Sequence, residues 1–204
     1  MILHLIRHGQ TLAYQQRLYC GATDVPLAKE GLQAIKSLAA QGIYPALDGL
    51  AIYTSGLLRT RQTLEAIYGP VPHGTLPGFQ EMHFGAFEMK SYEQLKNDPA
   101  YIAWIEDPSG EVSCPGGESS QIFTRRVIST FESLKTKHRS SLVICHGGVI
   151  ATLMQHLFPQ EPLHFYQWQP KPGQGYTLFL PEGNACRFLK IPIPAQSKQP
   201  HPQC

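Results

Sequence analysis

Two histidines stand at the ends of apolar runs that lie far apart in the chain. His8 follows Ile2-Leu3-His4-Leu5-Ile6-Arg7 and precedes Gly9, while His146 follows Leu142-Val143-Ile144-Cys145 and precedes Gly147-Gly148. Each run reads as a buried strand that delivers a histidine to its C-terminal end, where glycine lets the chain turn sharply. In open α/β sheets that edge is where ligands bind. Arg7 arrives beside His8, and Arg59 lies in Ser55-Gly56-Leu57-Leu58-Arg59-Thr60, at the start of a helix that also follows a strand. A phosphate monoester is a dianion near neutral pH, and the planar fork of arginine matches two of its oxygens at once. The N-terminal end of the helix carrying Arg59 adds partial positive charge. Arg61 is read as an ordinary surface residue.

These types in this arrangement suit phosphoryl transfer to histidine. An imidazole with an ordinary pKa of about 6.5 is largely neutral, hence nucleophilic, at neutral pH. Attack by His8 on phosphorus would form a phosphohistidine and split one hard step into two. No metal or cofactor is required if Arg7, Arg59 and His146 carry the developing charge. The backbone N–H groups of Gly147 and Gly148 would add to the anion pocket. The leaving alkoxide needs a proton and water must later be activated, and one carboxylic acid can do both. Glu81, in Glu81-Met82-His83-Phe84-Gly85-Ala86-Phe87-Glu88, is the candidate. Glu88 reads as an alternative with a capping or structural role, and His83 as an accessory donor or a surface residue. His4, His73, His138, His156, His164 and His201 are read as packed or exposed histidines without a catalytic part.

Something must hold these groups together, and the chain has the means. Its 204 residues are enough for one domain with a substantial core, and 42% hydrophobic with 16% charged content is ordinary for a soluble protein. A formal charge of +2, with scattered Lys and Arg, gives no footprint for nucleic acid. No apolar stretch approaches the ~20 residues needed to span a bilayer, so no membrane partner is expected. The N-terminus lacks the features of a secretory signal, which places the protein in the cytosol. Five cysteines without CxxC spacing argue against both a disulfide framework and a zinc knuckle.

Strand and helix patterns alternate through most of the sequence. Leu32, Ile35, Leu38 and Ala39 recur at helical spacing before Gly42. Residues 50–53 read as a strand, 57–68 as a helix closed by Gly69-Pro70, and 120–137 as a long helix with Phe123, Val127, Phe131 and Leu134 on one face. After the strand at 142–145 comes a helix over 149–158. Such alternation implies an α/β fold with a mostly parallel sheet covered on both faces. Residues 77–118 break the pattern and read as an inserted lid, with a helical piece over 92–105. Runs at 176–180 and 185–191, around Pro181-Glu182-Gly183-Asn184, read as a hairpin closing one sheet edge. The expected unit is one domain over 1–191, followed by a disordered tail over 192–204.

Six motifs in order resemble the histidine phosphatase superfamily, in its phosphoglycerate mutase-like branch. They are residues 7–11 (Arg-His-Gly-Gln-Thr), 19–27, 55–60, 81–85, 115–119 and 145–148. The resemblance implies a three-layer α/β/α sandwich, with His8 phosphorylated, Arg7, Arg59 and His146 in the phosphate pocket, and Glu81 as proton donor. Thr11, Cys20, Gly21, Gly147 and Tyr92 are the expected substrate contacts. Within the branch, the 81–89 stretch with its following aromatic helix looks similar to α-ribazole phosphatases of cobalamin assembly, which act on a benzimidazole ribonucleotide. Tyr92, Tyr101 and Trp104 would then be placed to stack on that base, unless they form the packing core of the lid. The chain departs from the family at Gln10, Tyr14 and Cys20, positions that bear on substrate choice. A small-molecule phosphate monoester is therefore the expected partner, for a monomer or homodimer. The rival readings are a phosphoglycerate mutase, a broad-specificity acid or sugar phosphatase, a silent phospho-ligand-binding relative and a metal-binding protein. The histidines show no HExxH or HxH arrangement, which speaks against the last.

Overall fold

The computed structural model describes residues 1–181 and 186–192. Within these residues six strands form one sheet: β1 (Ile2–Arg7), β2 (Ala51–Thr54), β3 (Gly74–Thr75), β4 (Ser140–Cys145), β5 (Gly175–Phe179) and β6 (Arg187–Ile191). Among the described residues eight α-helices accompany them: α1 (Leu12–Gln15), α2 (Lys29–Ala39), α3 (Leu58–Tyr68), α4 (Tyr92–Leu95), α5 (Pro99–Ile105), α6 (Ser120–Lys137), α7 (Gly147–Leu157) and α8 (Phe165–Trp168). The strand order is β3-β2-β4-β1-β5-β6, parallel through β1 and antiparallel beyond it. This is the mostly parallel, helix-covered sheet that the alternation implied.

Alternating side chains of the central strands feed two cores. Leu3, Leu5, Val143 and Cys145 point into the larger one, with Phe123, Val127, Phe131 and Leu134 of α6 and Val149, Ile150 and Leu153 of α7. Ile6, Leu142 and Ile144 face the other side and meet Leu64 of α3 and Ile191. Gly147 through Met154 are all buried, as expected of a helix that is apolar on most sides. Residues 77–118 belong to this packing too, since Phe79, Met82, Phe87, Leu95, Tyr101 and Cys114 lie in the larger core.

The helical piece expected over 92–105 is divided into α4 and α5. Pro99 has no N–H to continue the first helix, and the Asp98 side chain caps the second by accepting the Ala100 N–H at 2.9 Å. The hairpin strands pair at the sheet edge as expected, though the turn over 182–185 lies outside the described residues. So does the tail from 193 onward. β3, α1 and α8 are short elements that periodicity did not announce. No helix among the described residues is long and apolar enough to cross a membrane.

Candidate active site

Register places the site. Arg7 pairs with Cys145 at the ends of β1 and β4, and the His8 N–H donates to the Cys145 carbonyl at 3.0 Å. Ser55, just beyond β2, donates its N–H to the Ile144 carbonyl at 3.2 Å. Three neighbouring strands thus end level, and His8, His146 and Ser55 emerge side by side. The chain passes from β1 to β2 across the β4 position, so this edge is a topological switch point.

The rings of His8 and His146 lie 5.0 Å apart at 62°. Nδ1 of His8 is 2.7 Å from the Gly9 carbonyl oxygen, which can only accept, so Nδ1 carries the proton and Nε2 is left with its lone pair. Burial, then the charges of Arg59 and Arg7, hold the His8 pKa well below the ordinary imidazole value. His8 is therefore neutral at physiological pH. Nε2 of His146 lies 2.8 Å from the Ser55 hydroxyl, while its Nδ1 is buried without a protein partner. A buried polar atom left open beside another imidazole is suited to meet an incoming oxyanion. His146 too is held low, by burial first and then by Arg59, His8 and Arg7.

Both arginines are sunk into the same region. Arg7 Nη1 donates to the Pro170 carbonyl at 2.8 Å, Nε is buried without a partner, and the guanidinium lies 5.2 Å from the Tyr14 ring centroid. Gly147 permits this: a Cβ there would sit 2.9 Å from Arg7 Cζ. Arg59 is 1% exposed; Nη1 and Nη2 donate to the carbonyls of Thr23 and Gly21 at 2.9 and 2.7 Å. Arg61 is exposed, as the surface reading expected.

Glu81 comes from the 77–118 segment and meets the start of α7. Oε2 accepts the Gly148 N–H at 2.9 Å and Oε1 accepts its neighbour Met82 N–H at 3.0 Å. The Gly148 amide is therefore spent on Glu81 and not free for an anion, which corrects the expectation for that residue. Arg126 anchors the stretch by donating to the carbonyls of Gly78 and Gln80, both at 3.0 Å. His8, His146, Arg7, Arg59 and Glu81 are thus brought together.

The other expected substrate contacts fare differently. Thr11 is buried and its hydroxyl oxygen caps α1 by accepting the Tyr14 N–H at 3.1 Å. Cys20 is half-buried, and burial pushes its thiol up despite the opposing pull of Arg59, so it stays protonated. Gly21 has both backbone groups engaged within the protein, its N–H by Glu88 and its carbonyl by Arg59, leaving neither for substrate. Tyr92 is 56% exposed, packs against Tyr101 and does not line the cavity described next. Its assignment to substrate is corrected accordingly. Tyr101 is 1% exposed and hydrogen-bonded to Tyr19 at 2.6 Å, so it belongs to the packing core.

A cavity of about 610 Å³ opens beside Glu81 and Gly148. Tyr19, Phe84, Trp104, Phe123, Phe165 and Tyr166 form most of its wall, with Thr152, Gln155, His156 and Gln169 supplying polar groups. None of the described residues lining it is a lysine or arginine. Sequence reasoning missed Phe165, Tyr166 and Gln169, which sit in and just after a four-residue helix with no periodic signal. It also missed the part played by Ser55, which it quoted only as the first residue of the 55–60 motif. Among the described residues, no group of three or more His, Cys, Asp or Glu side chains is arranged to hold a metal ion.

The family model described as "Histidine phosphatase superfamily (branch 1)" matches residues 3–192. The chain is 31% identical to the adenosylcobalamin/alpha-ribazole phosphatase of Salmonella typhimurium, over 91% of this chain and 93% of that one. Its fold matches the alpha-ribazole phosphatase of Shigella flexneri with a TM-score of 0.81 at 24% identity, covering 94% and 96% of the two chains. It also matches a phosphoglycerate mutase of Thermus thermophilus with a TM-score of 0.72 at 29% identity, covering 94% and 98%.

Proposed function

The chain belongs to branch 1 of the histidine phosphatase superfamily and is a phosphatase, and from that premise we propose how it works and on what. The substrate is a phosphate monoester of a bulky, uncharged alcohol that carries an aromatic ring system, with α-ribazole 5′-phosphate the leading candidate. The observation that carries this is the aromatic cavity beside Glu81, with no lysine or arginine in its wall. A phosphoglycerate leaving group brings a carboxylate that would want a cation there. A flat, neutral heteroaromatic nucleoside gains by leaving water, and about 610 Å³ falls within the usual range for small-molecule sites.

In this reading the phosphoryl group sits among Arg7, Arg59 and His146, and the alcohol lies in the cavity. Nε2 of His8 attacks phosphorus in line, a phosphorus–nitrogen bond forms and the phosphorus–oxygen bond to the alcohol breaks. Glu81 acts as the general acid and delivers a proton to the departing alkoxide. Water then attacks the phosphohistidine, Glu81 takes the water proton, and inorganic phosphate leaves with His8 regenerated. The arginines and His146 stabilise charge on the non-bridging oxygens in both steps. What supports Glu81 in this part is its place: backbone amides hold both of its oxygens at the wall of the cavity that would receive the alcohol.

The deciding experiment compares hydrolysis of α-ribazole 5′-phosphate, phosphoglycerates, sugar phosphates and nucleotides, with rapid-quench capture of labelled phosphate on His8. The nucleotide with the neutral base should have the highest kcat/KM. Preference for 3-phosphoglycerate, or no label on His8, overturns the reading.

A further inference from the structure

The carboxylate of Glu88 gathers most of its donors from one loop. Gly21 N–H approaches both oxygens at 3.1–3.2 Å, Ala22 N–H reaches Oε1 at 2.9 Å, and the Thr23 hydroxyl reaches Oε2 at 2.6 Å. The Thr23 and Phe84 amides add contacts at 3.3 and 3.0 Å. The same loop holds Arg59 through the carbonyls of Gly21 and Thr23. In a trans peptide the N–H and C=O of one unit point in opposite directions. The unit joining Gly21 to Ala22 therefore has its N–H on Glu88 and its C=O on Arg59. An anion at one end and a cation at the other polarise that peptide in the same sense, and each bond strengthens the other. Gly21 is the residue that can fill this place, because a Cβ there would lie 1.6 Å from the Met82 carbonyl oxygen.

We propose that Glu88 is a positioning residue for Arg59, acting through the Gly21–Ala22 peptide to aim the guanidinium at the phosphoryl group. This rests on the reading that Arg59 is a phosphate ligand. A carboxylate that only tied loop 20–24 to the 81–88 segment would matter for stability. It would have no reason to act through one guanidinium.

The test is a double-mutant cycle read with p-nitrophenyl phosphate turnover and orthovanadate inhibition, neither of which depends on the identity of the natural substrate. Glu88→Gln should lower kcat/KM and weaken vanadate binding by about 10- to 100-fold, the cost of a misaimed ligand. In an Arg59→Met background the same change should cost less than about twofold, because the group it acts through is gone. Thr23→Val removes only the 2.6 Å bond and should show a milder loss, about three- to tenfold, with the same coupling. It carries the test alone if Glu88→Gln does not fold. Equal losses in both backgrounds mean that Glu88 acts elsewhere, and overturn the inference while leaving the phosphate pocket intact. If Arg59→Met by itself changes neither turnover nor vanadate binding, the role of Arg59 falls and the inference falls with it.

Discussion

Glu81 and Gly148 are joined by a 2.9 Å hydrogen bond from the glycine N–H to the carboxylate, at the start of the helix that follows His146. The contact depends on the absence of a side chain. A Cβ on Gly148 would stand 2.3 Å from Oε1 of Glu81. Gly148→Ala should push the carboxyl off its mark while leaving the imidazoles and arginines in place. Proton donation matters most when the leaving alkoxide is poor, so alkyl phosphates should lose about 10- to 100-fold in kcat. p-Nitrophenyl phosphate, whose leaving group needs little help, should lose less than about threefold. Paired kcat measurements on the two ester classes check this, and equal losses would count against Glu81 as the acid.

The pH profile should report the cationic surroundings of His8. Its pKa is held well below about 6.5 by burial, and then by Arg59 and Arg7. Since kcat/KM tracks the free enzyme, its acid limb should lie below the ordinary imidazole range. Arg59→Met removes the larger of the two charge effects, so the limb should move to higher pH. The same shift is linked to stability. Between the folded pKa and about 6.5 the unfolded chain binds more protons, so stability falls as pH drops through that window. Urea unfolding between about pH 7.5 and 5 should show that slope, shallower in Arg59→Met. An unmoved kinetic limb would sink the assignment of the limb to His8.

Much of this site could be read along the chain, and the reasons differ by residue. His8 and His146 were legible because an apolar strand ending in His-Gly has few other purposes. Arg59 was legible because it opens a helix directly after a strand. The long helix α6 was legible through Phe123, Val127, Phe131 and Leu134, all buried at the expected spacing. Glu88 was not, because its role depends on a loop more than sixty residues away. Nor was the tie between Gly148 and Glu81, since nothing in a helix-opening glycine says which acceptor its amide will meet. Tyr92 misled for a related reason: an amphipathic four-residue helix has no pattern to say which aromatic faces the ligand.

Arg126 should be the main anchor of the segment that carries Glu81. Its guanidinium pairs in a fork with Glu118, Nε to Oε1 at 2.8 Å and Nη2 to Oε2 at 2.6 Å, and it also holds the Gly78, Gln80 and Glu81 carbonyls. Burial pulls the Glu118 pKa up, but the Arg126 hydrogen bond and charge, with the His83 amide, bring it below the usual carboxylate value. A depressed carboxylate stabilises the fold above its unfolded pKa, about 4.3, and loses that contribution as pH falls through the folded value. Arg126→Met strands a partly buried carboxylate and those carbonyls, and should cost about 2–3 kcal/mol near neutral pH. The deficit should shrink as pH falls below about 4.3, because the unpaired carboxylate of the variant takes up its proton before the paired one does. Chemical denaturation at about pH 7 and about pH 3.5 measures both, and a deficit that stays constant would contradict the pairing.

Tyr166, and not Tyr92, should govern affinity for an aromatic leaving group. Tyr166 is 75% exposed yet lines the cavity, so truncating it removes a wall of the binding site while disturbing little of the core. An aromatic face stacked on a heteroaromatic base contributes about 0.5–1.5 kcal/mol beyond simple burial. Tyr166→Ala should therefore raise KM for α-ribazole 5′-phosphate by about two- to twelvefold, with kcat little changed. Glycerol phosphate has no ring to stack and should be turned over as before. Tyr92→Ala should leave both substrates alone, because its ring packs against Tyr101 outside the cavity wall. A larger effect from Tyr92→Ala than from Tyr166→Ala would place the base beside α4 and refute this orientation of the ligand.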